Sequence, residues 1–307
     1  MTGTGDTPRH NDKELLKKVK TIGDAVFQAD LESALRYSFT REIGANKEIR
    51  GEQLQALRLY VDILDKYFPF GSEGKMLLKE IKELVHNSDP VNGLEIRKKI
   101  IEAGKPEKKV FSTPQKWIGC LGSTPEYRGY PCSLWKMFHF LTVSAASDNN
   151  FQFLHENIAL RAMHGYIKNF FGCRECSNHF QELSSRRNIF NVPTKERAVL
   201  WLWEAHNEVN NRLRGDLTED PEFPKNPFPY RQSCPKCQKP NGQWDEDEVY
   251  KYLKNMYDKN NIKYLETSKD ALAMTNIALP SKHISININN LLLLAVVLYI
   301  FSGYLSS

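Results

Sequence analysis

Two cysteines separated by two residues raise the question of what chemistry this chain performs. Cys173 and Cys176 lie in GYIKNFFGCRECSNHF, after an aromatic, helix-like run, and His179 follows three residues later. Such a pair can supply half of a zinc site, form a structural disulfide, or act as a redox disulfide that turns over. A second pair with the same gap, Cys234 and Cys237, lies in CPKC. The remaining cysteines and the surrounding side chains have to distinguish these three cases.

The six cysteines form three local pairs in the middle of the chain. Cys120 and Cys132 complete the set, and the first 119 residues contain no cysteine. An even number arranged in this way suits three disulfides in an oxidising compartment. It equally suits one four-cysteine metal site with two cysteines left over.

The context of the CREC pair disfavours zinc and an inert disulfide. CREC follows directly on an apolar helix-like run and begins the next one, whereas zinc knuckles usually lie in turns. A zinc site built from CREC and CPKC would also leave Cys120 and Cys132 unexplained. At a helix N-terminus, the dipole and the exposed amides stabilise a thiolate, which lowers a cysteine pKa and favours disulfide exchange. We therefore predict a redox disulfide and no metal site.

Aromatic and imidazole side chains recur at helical spacing on both sides of the pair. Each of them alone has an ordinary explanation, since a tryptophan is usually a core residue and a lone histidine is usually a satisfied polar residue. Together they place flat apolar surfaces and hydrogen-bonding groups on three helices, which suits a planar heteroaromatic cofactor beside a disulfide. The set is Trp135, His139, His179, Trp203, His206, Asn207 and Asn210.

Helices are the elements that must position these residues. Apolar residues recur every three or four positions in EQLQALRLYVDILDKYF and KMLLKEIKELV, which predicts a cysteine-free helical domain over residues 25–103 after a polar segment, 1–24. Gly, two prolines and a charge cluster in residues 103–114 predict a domain boundary. Four helical stretches then begin near Cys132, His155, Cys173 and Thr194, and DEDEVYKYLKNMY adds a fifth. This pattern predicts an all-α bundle.

The two ends of the chain differ in hydropathy. MTGTGDTPRHNDKELLKK is polar throughout, so we predict no signal peptide. The run LLLLAVVLYIF and its flanks, residues 284–305, predict a transmembrane helix after a linker over 261–283, since a span needs ~20 mostly apolar residues. The net charge is only +5 and no dense run of Lys and Arg occurs, so a nucleic-acid partner is not expected.

Three longer stretches carry a family resemblance. RGYPCSLWKMFHFLT, FFGCRECSNHF and VLWLWEAHNEVNNRL resemble the flavin-binding sulfhydryl oxidase domain of the Erv/ALR type, over residues 111–260. With CPKC after a proline-rich link, the wider pattern resembles the quiescin sulfhydryl oxidases, and residues 25–103 resemble more loosely the helix-rich region that precedes that domain. The resemblance implies an all-α fold, with an Erv/ALR-type four-helix bundle plus a short fifth helix binding FAD, a preceding helical domain and a C-terminal transmembrane helix.

The resemblance also assigns roles to individual residues. It implies that Cys173 exchanges with the incoming thiol and that Cys176 faces the flavin. It pairs Cys120 with Cys132 and Cys234 with Cys237 as accessory disulfides. The implied FAD-binding residues are Arg128, Trp135, His139, Glu175, His179, Trp203, His206, Asn207, Asn210, Lys225 and Phe228, the last at a place where relatives often have Trp.

The activity implied is FAD-dependent thiol oxidation, forming disulfides in small thiols or reduced proteins while O2 is reduced to H2O2. The competing hypothesis is a non-enzymatic, membrane-anchored helical module stapled by zinc or disulfides. Family members normally begin with a signal peptide and thioredoxin-like domains that this sequence lacks, so we expect slow oxidation of small thiols and poorer oxidation of folded-protein dithiols.

Localisation rests on opposing signals. The family implies a homodimer and a single-pass protein of the Golgi, the endoplasmic reticulum or the cell surface, with this domain in the lumen. The polar start, and Lys282 and His283 before the span, predict a cytosolic domain instead. We give the family topology more weight.

Overall fold

The structure is a computed structural model that describes residues 10–265. The predicted transmembrane helix, 284–305, lies outside the described residues, as does most of the predicted linker. Among the described residues, no helix has the length and apolar character needed to cross a membrane. The α-helices within 10–265 are α1 (His10–Ile22), α2 (Gln28–Tyr37), α3 (Gly51–Tyr67), α4 (Ser72–Asn87), α5 (Gly93–Ala103), α6 (Gly129–Ala146), α7 (Ile158–Asn169), α8 (Arg174–Arg186), α9 (Lys195–Leu213) and α10 (Glu246–Met256).

The predicted all-α class is confirmed over this range. Between residues 10 and 265 the only strand-like pairing consists of isolated bridges, such as the one between Phe27 and Lys263. Side chains cap several helices as the sequence leads one to expect: Thr194 accepts a hydrogen bond from the Arg197 amide, and Asp245 accepts one from the Glu248 amide. Such caps satisfy amides that lack an intrahelical partner and each contribute on the order of 1 kcal/mol.

One continuous hydrophobic core joins the cysteine-free helices to the helices that carry the cysteines. Tyr60 of α3 and Tyr166 of α7 are both fully buried, with ring centroids 4.6 Å apart. The two helices approach closely at Gly165, where an added Cβ would lie 3.1 Å from the Cβ of Ala56. The predicted boundary at 103–114 therefore separates two segments of the sequence, whereas the core is continuous across it.

Two buried carboxylates on α2 hold the loop that leads to the first disulfide. Asp30 accepts hydrogen bonds from the amides of Ile118 (2.7 Å) and Cys120 (3.1 Å). Glu32 accepts one from the Ser112 amide at 2.9 Å. Burial raises the pKa of Asp30 to about 6 and that of Glu32 to about 7, although the amide donors oppose the increase. The helix-rich region thus positions Cys120 directly.

The polar N-terminal segment contributes a helix to the fold. Leu15 and Val19 of α1 are buried in a small cluster with Phe27 and Ile118. Their spacing of four residues is the amphipathic pattern of a helix that covers a neighbouring surface. This places α1 against the loop held by α2.

Candidate active site

The CREC pair begins α8 and is closed as a disulfide. Cys173 is the N-cap residue, and its sulfur accepts a hydrogen bond from the Cys176 amide at 3.3 Å. The hydroxyl of Ser177 donates to the carbonyl of Ile167 at 2.9 Å, which ties this end of α8 to α7. The unpaired amides and the dipole of a 13-residue helix therefore face the sulfur of Cys173. This arrangement stabilises a Cys173 thiolate when the disulfide opens.

Both cysteines line a cavity of about 1530 Å³. Apolar side chains from α6, α7, α8 and the segment between α7 and α8 form part of its wall. The apolar side chains there are Leu134, Phe138, Met163, Ile167, Phe171 and Phe180. Pockets for cofactors typically occupy ~300–1,000 Å³, so this cavity has room for a large dinucleotide next to the sulfurs.

A stacked group of rings lies beside this wall. Trp135 and His206 stack with centroids 4.2 Å apart and planes 4° from parallel. A nitrogen of His139 (Nε2) lies 3.1 Å from Nδ1 of His206, so one ring donates a hydrogen bond and the other accepts it. Burial lowers the pKa of His206 to about 3 and that of His139 well below its usual range. Both imidazoles are therefore neutral at physiological pH, and the site presents flat, uncharged rings.

Basic side chains also line the cavity. The Arg128 guanidinium donates to the Gly119 carbonyl at 2.5 Å and lies 3.8 Å from the centre of the Phe223 ring. Burial lowers the pKa of Lys225, and it lowers that of Lys136 to about 8. The Nε atom of Arg128 is buried without a hydrogen-bond partner in the described part of the chain. A buried, unpaired cationic donor suits an anionic ligand group, such as a diphosphate.

These features fit FAD, which pairs a flat heteroaromatic ring with a diphosphate. Eight of the predicted FAD-binding residues line the cavity, and three lie behind its wall. The eight are Arg128, Trp135, Glu175, His179, His206, Asn210, Lys225 and Phe228; the three are His139, Trp203 and Asn207. The individual contacts with FAD stay predictions.

Trp203 and Asn207 fasten a loop that forms part of the cavity wall. The Asn207 side chain donates to the carbonyl of Phe228 at 2.6 Å and accepts from the amide of the same residue at 2.9 Å. The indole of Trp203 donates to that carbonyl as well, at 2.5 Å. The Phe228 segment is therefore held to α9 by three hydrogen bonds. The direct cofactor contact that the resemblance implies for both residues stays a prediction.

His179 and Glu175 share the exposed side of α8. The Nε2 atom of His179 lies 3.6 Å from a Glu175 oxygen, and its Nδ1 atom lies 3.8 Å from Glu182. Both of the predicted residues line the cavity near the disulfide. Weak, exposed ion pairs of this kind contribute little stability. The relevant observation for the site is that His179 lines the cavity.

The other cysteines are also closed as local pairs. Cys120 is bonded to Cys132, and Cys234 is bonded to Cys237, as the resemblance implies. Cys132 lines the cavity, whereas the Cys234–Cys237 pair is packed in the core. Each CxxC pair thus closes on itself, which differs from the shared four-cysteine metal site considered above.

Several residues that line the cavity were not predicted from the sequence, among them Lys136 and the α1 residues Val19 and Lys20. Lys136 is the only charged residue within the 18-residue helix α6, and that isolation was a signal that could have revealed it. Val19 and Lys20 of α1 also line the cavity, and Lys20 lies 2.6 Å from a carboxylate oxygen of Glu222. The sequence shows the apolar spacing of α1, but it does not show which surface α1 packs against.

Comparison with known proteins gives consistent matches across the described chain. The Erv1 / Alr family model matches residues 132–229, and the model for flavin adenine dinucleotide (FAD)-dependent sulfhydryl oxidase matches residues 24–123. The second match covers the cysteine-free region, which sequence reasoning had linked to the family only loosely.

Individual relatives agree with the family models. Sulfhydryl oxidase 2 of Mus musculus is 40% identical in an alignment of 253 residues that covers 77% of this chain and 36% of the relative. Sulfhydryl oxidase 1 of Gallus gallus is 38% identical in an alignment of 263 residues that covers 83% of this chain and 35% of the relative. The chain thus spans about a third of the length of these curated relatives. The solved sulfhydryl oxidase fragment of human QSOX1 is 36% identical, with a TM-score of 0.71, covering 78% of this chain and 98% of the fragment.

Proposed function

Because the chain belongs to the quiescin group of FAD-dependent sulfhydryl oxidases, we propose that it oxidises thiols to disulfides with O2 as the electron acceptor. The observation that carries this proposal is the position of the Cys173–Cys176 disulfide. It begins a helix and lines a large cavity whose wall includes apolar side chains, stacked rings and basic side chains. The substrates proposed are small thiols and reduced proteins.

The chemistry of the cysteines follows from thiol–disulfide exchange. A substrate thiolate attacks the sulfur of Cys173, so that a mixed disulfide forms and Cys176 leaves as a thiolate. A second substrate thiolate attacks the substrate sulfur of the mixed disulfide, which releases the product disulfide and leaves Cys173 reduced. Two substrate thiols have then lost two electrons and two protons, and the cysteine pair has gained the electrons. The N-terminus of α8 stabilises the Cys173 thiolate that leaves in the second step, which favours Cys173 as the exchanging sulfur.

The residues of the cavity suit FAD as the resident cofactor. When bound, FAD supplies two-electron chemistry, accepting the pair from the dithiol and delivering it to O2 to form H2O2. We propose that the neutral rings of Trp135 and His206 pack against its flat ring system, and that Arg128 and Lys225 hold its diphosphate.

Flavin content tests this proposal. The purified full-length chain should be yellow and should release about one FAD per chain on denaturation, since the cavity holds one cofactor of this size. Absorption spectroscopy before and after denaturation measures this. A folded, colourless protein containing one zinc ion per chain would contradict the proposal and support the binding-module alternative.

We propose membrane attachment and a luminal location for the complete protein. The apolar run at 284–305 supports a membrane segment, and three cysteine pairs support an oxidising compartment, the Golgi, the endoplasmic reticulum or the cell surface. Homodimer formation stays a prediction of the family resemblance. Protease treatment of intact microsomes tests the topology: residues 10–265 should be protected, and their digestion would refute the luminal placement.

A further inference from the structure

A glutamate of the cysteine-free region reaches the CREC motif from outside the cavity. Glu42 ends a short π-helical turn, Ser38–Glu42, which follows α2. Its carboxylate accepts a hydrogen bond from the amide of Gly172, the residue directly before Cys173. A Cβ atom added to Gly172 would lie 3.0 Å from one carboxylate oxygen of Glu42 and 3.3 Å from the other. The carboxylate therefore packs directly on the backbone of the turn that presents the redox disulfide.

The position of this carboxylate is fixed by its surroundings. Tyr37 and Tyr130 stack with centroids 4.0 Å apart, and Tyr130 lies 6.1 Å from Phe171, the residue before Gly172. Burial raises the pKa of both tyrosines, and the negative charge of Glu42 adds to that increase. Burial in turn raises the pKa of Glu42 itself, and the Gly172 amide opposes that change. A half-buried charge held in this way acts on its neighbours with less screening than an exposed one.

We propose that Glu42 is a positioning residue for the redox pair: its carboxylate fixes the Gly172–Cys173 turn, and its charge opposes the Cys173 thiolate. The inference rests on the proposed function and adds a residue from the cysteine-free region to its machinery. The N-terminus of α8 stabilises a thiolate, whereas a nearby carboxylate destabilises it. The N-terminus of α8 and the Glu42 carboxylate together set the reduction potential of the disulfide.

Other charged and titratable groups near the turn remain unchanged in the test. On the π-helical turn the neighbour is Arg41, and from α2, α6 and α7 the neighbours are Tyr37, Tyr130 and Tyr166. On α8 itself, and across the cavity, the remaining groups are Arg174, Glu175, His179, Lys136 and His206. A variant that changes only Glu42 therefore isolates its charge.

The decisive pair of variants is Glu42→Gln and Glu42→Ala. Glutamine keeps an oxygen that accepts from the Gly172 amide but removes the charge, whereas alanine removes both. Asp65→Asn is the matched control, because it removes one carboxylate charge that pairs with Lys82 on the cysteine-free helices α3 and α4. All variants are made in the full-length chain with its cofactor; alkylation and the glutathione equilibrium are measured without oxygen, and turnover is measured separately with oxygen present.

Two measurements on these proteins test the inference. The first is the pH dependence of alkylation of Cys173 in the reduced protein, followed by mass spectrometry. For Glu42→Gln we expect the midpoint to fall by roughly 0.5 pH units, as removal of one nearby, partly screened charge predicts. The second is the equilibrium in which the disulfide and two glutathione molecules give the dithiol and glutathione disulfide. Its constant should increase about two- to threefold, which corresponds to about 10–15 mV.

The variants should also separate charge from positioning. Glu42→Ala should show the same shift and, in addition, slower turnover, because the turn is no longer held. Asp65→Asn should match the unsubstituted protein in both measurements. If the Glu42 variants change the melting temperature but leave the alkylation profile and the glutathione equilibrium unchanged, Glu42 is merely structural and the inference is wrong. Failure of the unsubstituted protein to oxidise thiols would instead count against the proposed function alone, since neither measurement requires turnover.

Discussion

Replacing Cys176 with serine is expected to abolish thiol oxidation completely. A single sulfur cannot form the disulfide that a substrate thiolate must attack, and no route then remains for the electron pair. Cys173→Ser should be equally inactive for the same reason. Oxygen consumption with dithiothreitol, compared with that of the unsubstituted protein, measures both losses. Full activity of Cys173→Ser would show that the roles assigned within CREC are wrong.

The two serine variants should differ in how they react with a disulfide. Cys176→Ser retains Cys173 at the N-terminus of α8, so it should form a stable mixed disulfide with glutathione disulfide that no second cysteine resolves. Cys173→Ser should form that adduct more slowly, because Cys176 lies within the first turn and not at the N-cap. Mass spectrometry identifies the modified sulfur. The double variant Cys234→Ser/Cys237→Ser is the control and should retain much of the activity with a small thiol.

Asn207→Ala is expected to weaken FAD binding about 10- to 100-fold. The Asn207 amide makes a reciprocal pair of hydrogen bonds with the backbone of Phe228, which lines the cavity. Removal of the side chain leaves the amide and the carbonyl of Phe228 without this partner, at a cost of about 1–3 kcal/mol. If FAD binding orders the loop, this cost corresponds to the expected loss of affinity. Ultrafiltration at a series of protein concentrations, with fluorescence of the free flavin, gives the dissociation constant.

The same helix supplies the control for this experiment. Asn211→Ala changes the same residue type on α9 at an exposed position, so it should bind FAD like the unsubstituted protein. Equal affinities for Asn207→Ala and the unsubstituted protein would show that the Phe228 loop does not need this fastening. An equal loss in both variants would point to a general effect on α9.

Local patterns predicted the helices that carry the site. The beginning of α9 was predicted near Thr194 from the helical pattern that starts there, and the beginning of α8 from the change from an apolar run to CREC. Both signals are local, because capping and apolar spacing act within a few residues. The position of the redox pair at a helix N-terminus could therefore be predicted without any tertiary information.

Contacts between distant parts of the chain could not be predicted in this way. Glu42 touches Gly172 across 130 positions of the sequence, and Asp30 holds Cys120 across 90. Nothing in the local composition of residues 25–103 distinguishes these carboxylates from ordinary surface acids. Only the packing of the cysteine-free helices against α6 and α7 assigns them a place beside the site. Residues 25–103 therefore contribute side chains to the surroundings of the site as well as to the hydrophobic core.

The behaviour of Trp203 and Asn207 illustrates a second limit. Helical spacing correctly places both on α9 with His206 and Asn210. Spacing alone does not distinguish a side chain that lines a cavity from one that fastens the wall behind it. That distinction depends on the path of the loop around Phe228, which is irregular and has no periodic signal.

The most direct test of the central claim is oxygen consumption by the purified, FAD-loaded chain on addition of dithiothreitol, with H2O2 measured in the same sample. We expect oxygen uptake that depends on the thiol, formation of one H2O2 for each O2 consumed, and loss of both in Cys176→Ser. A chain that is fully loaded with FAD, with an intact Cys173–Cys176 disulfide, but that consumes no oxygen above the Cys176→Ser background would contradict the assignment of this protein as a thiol oxidase.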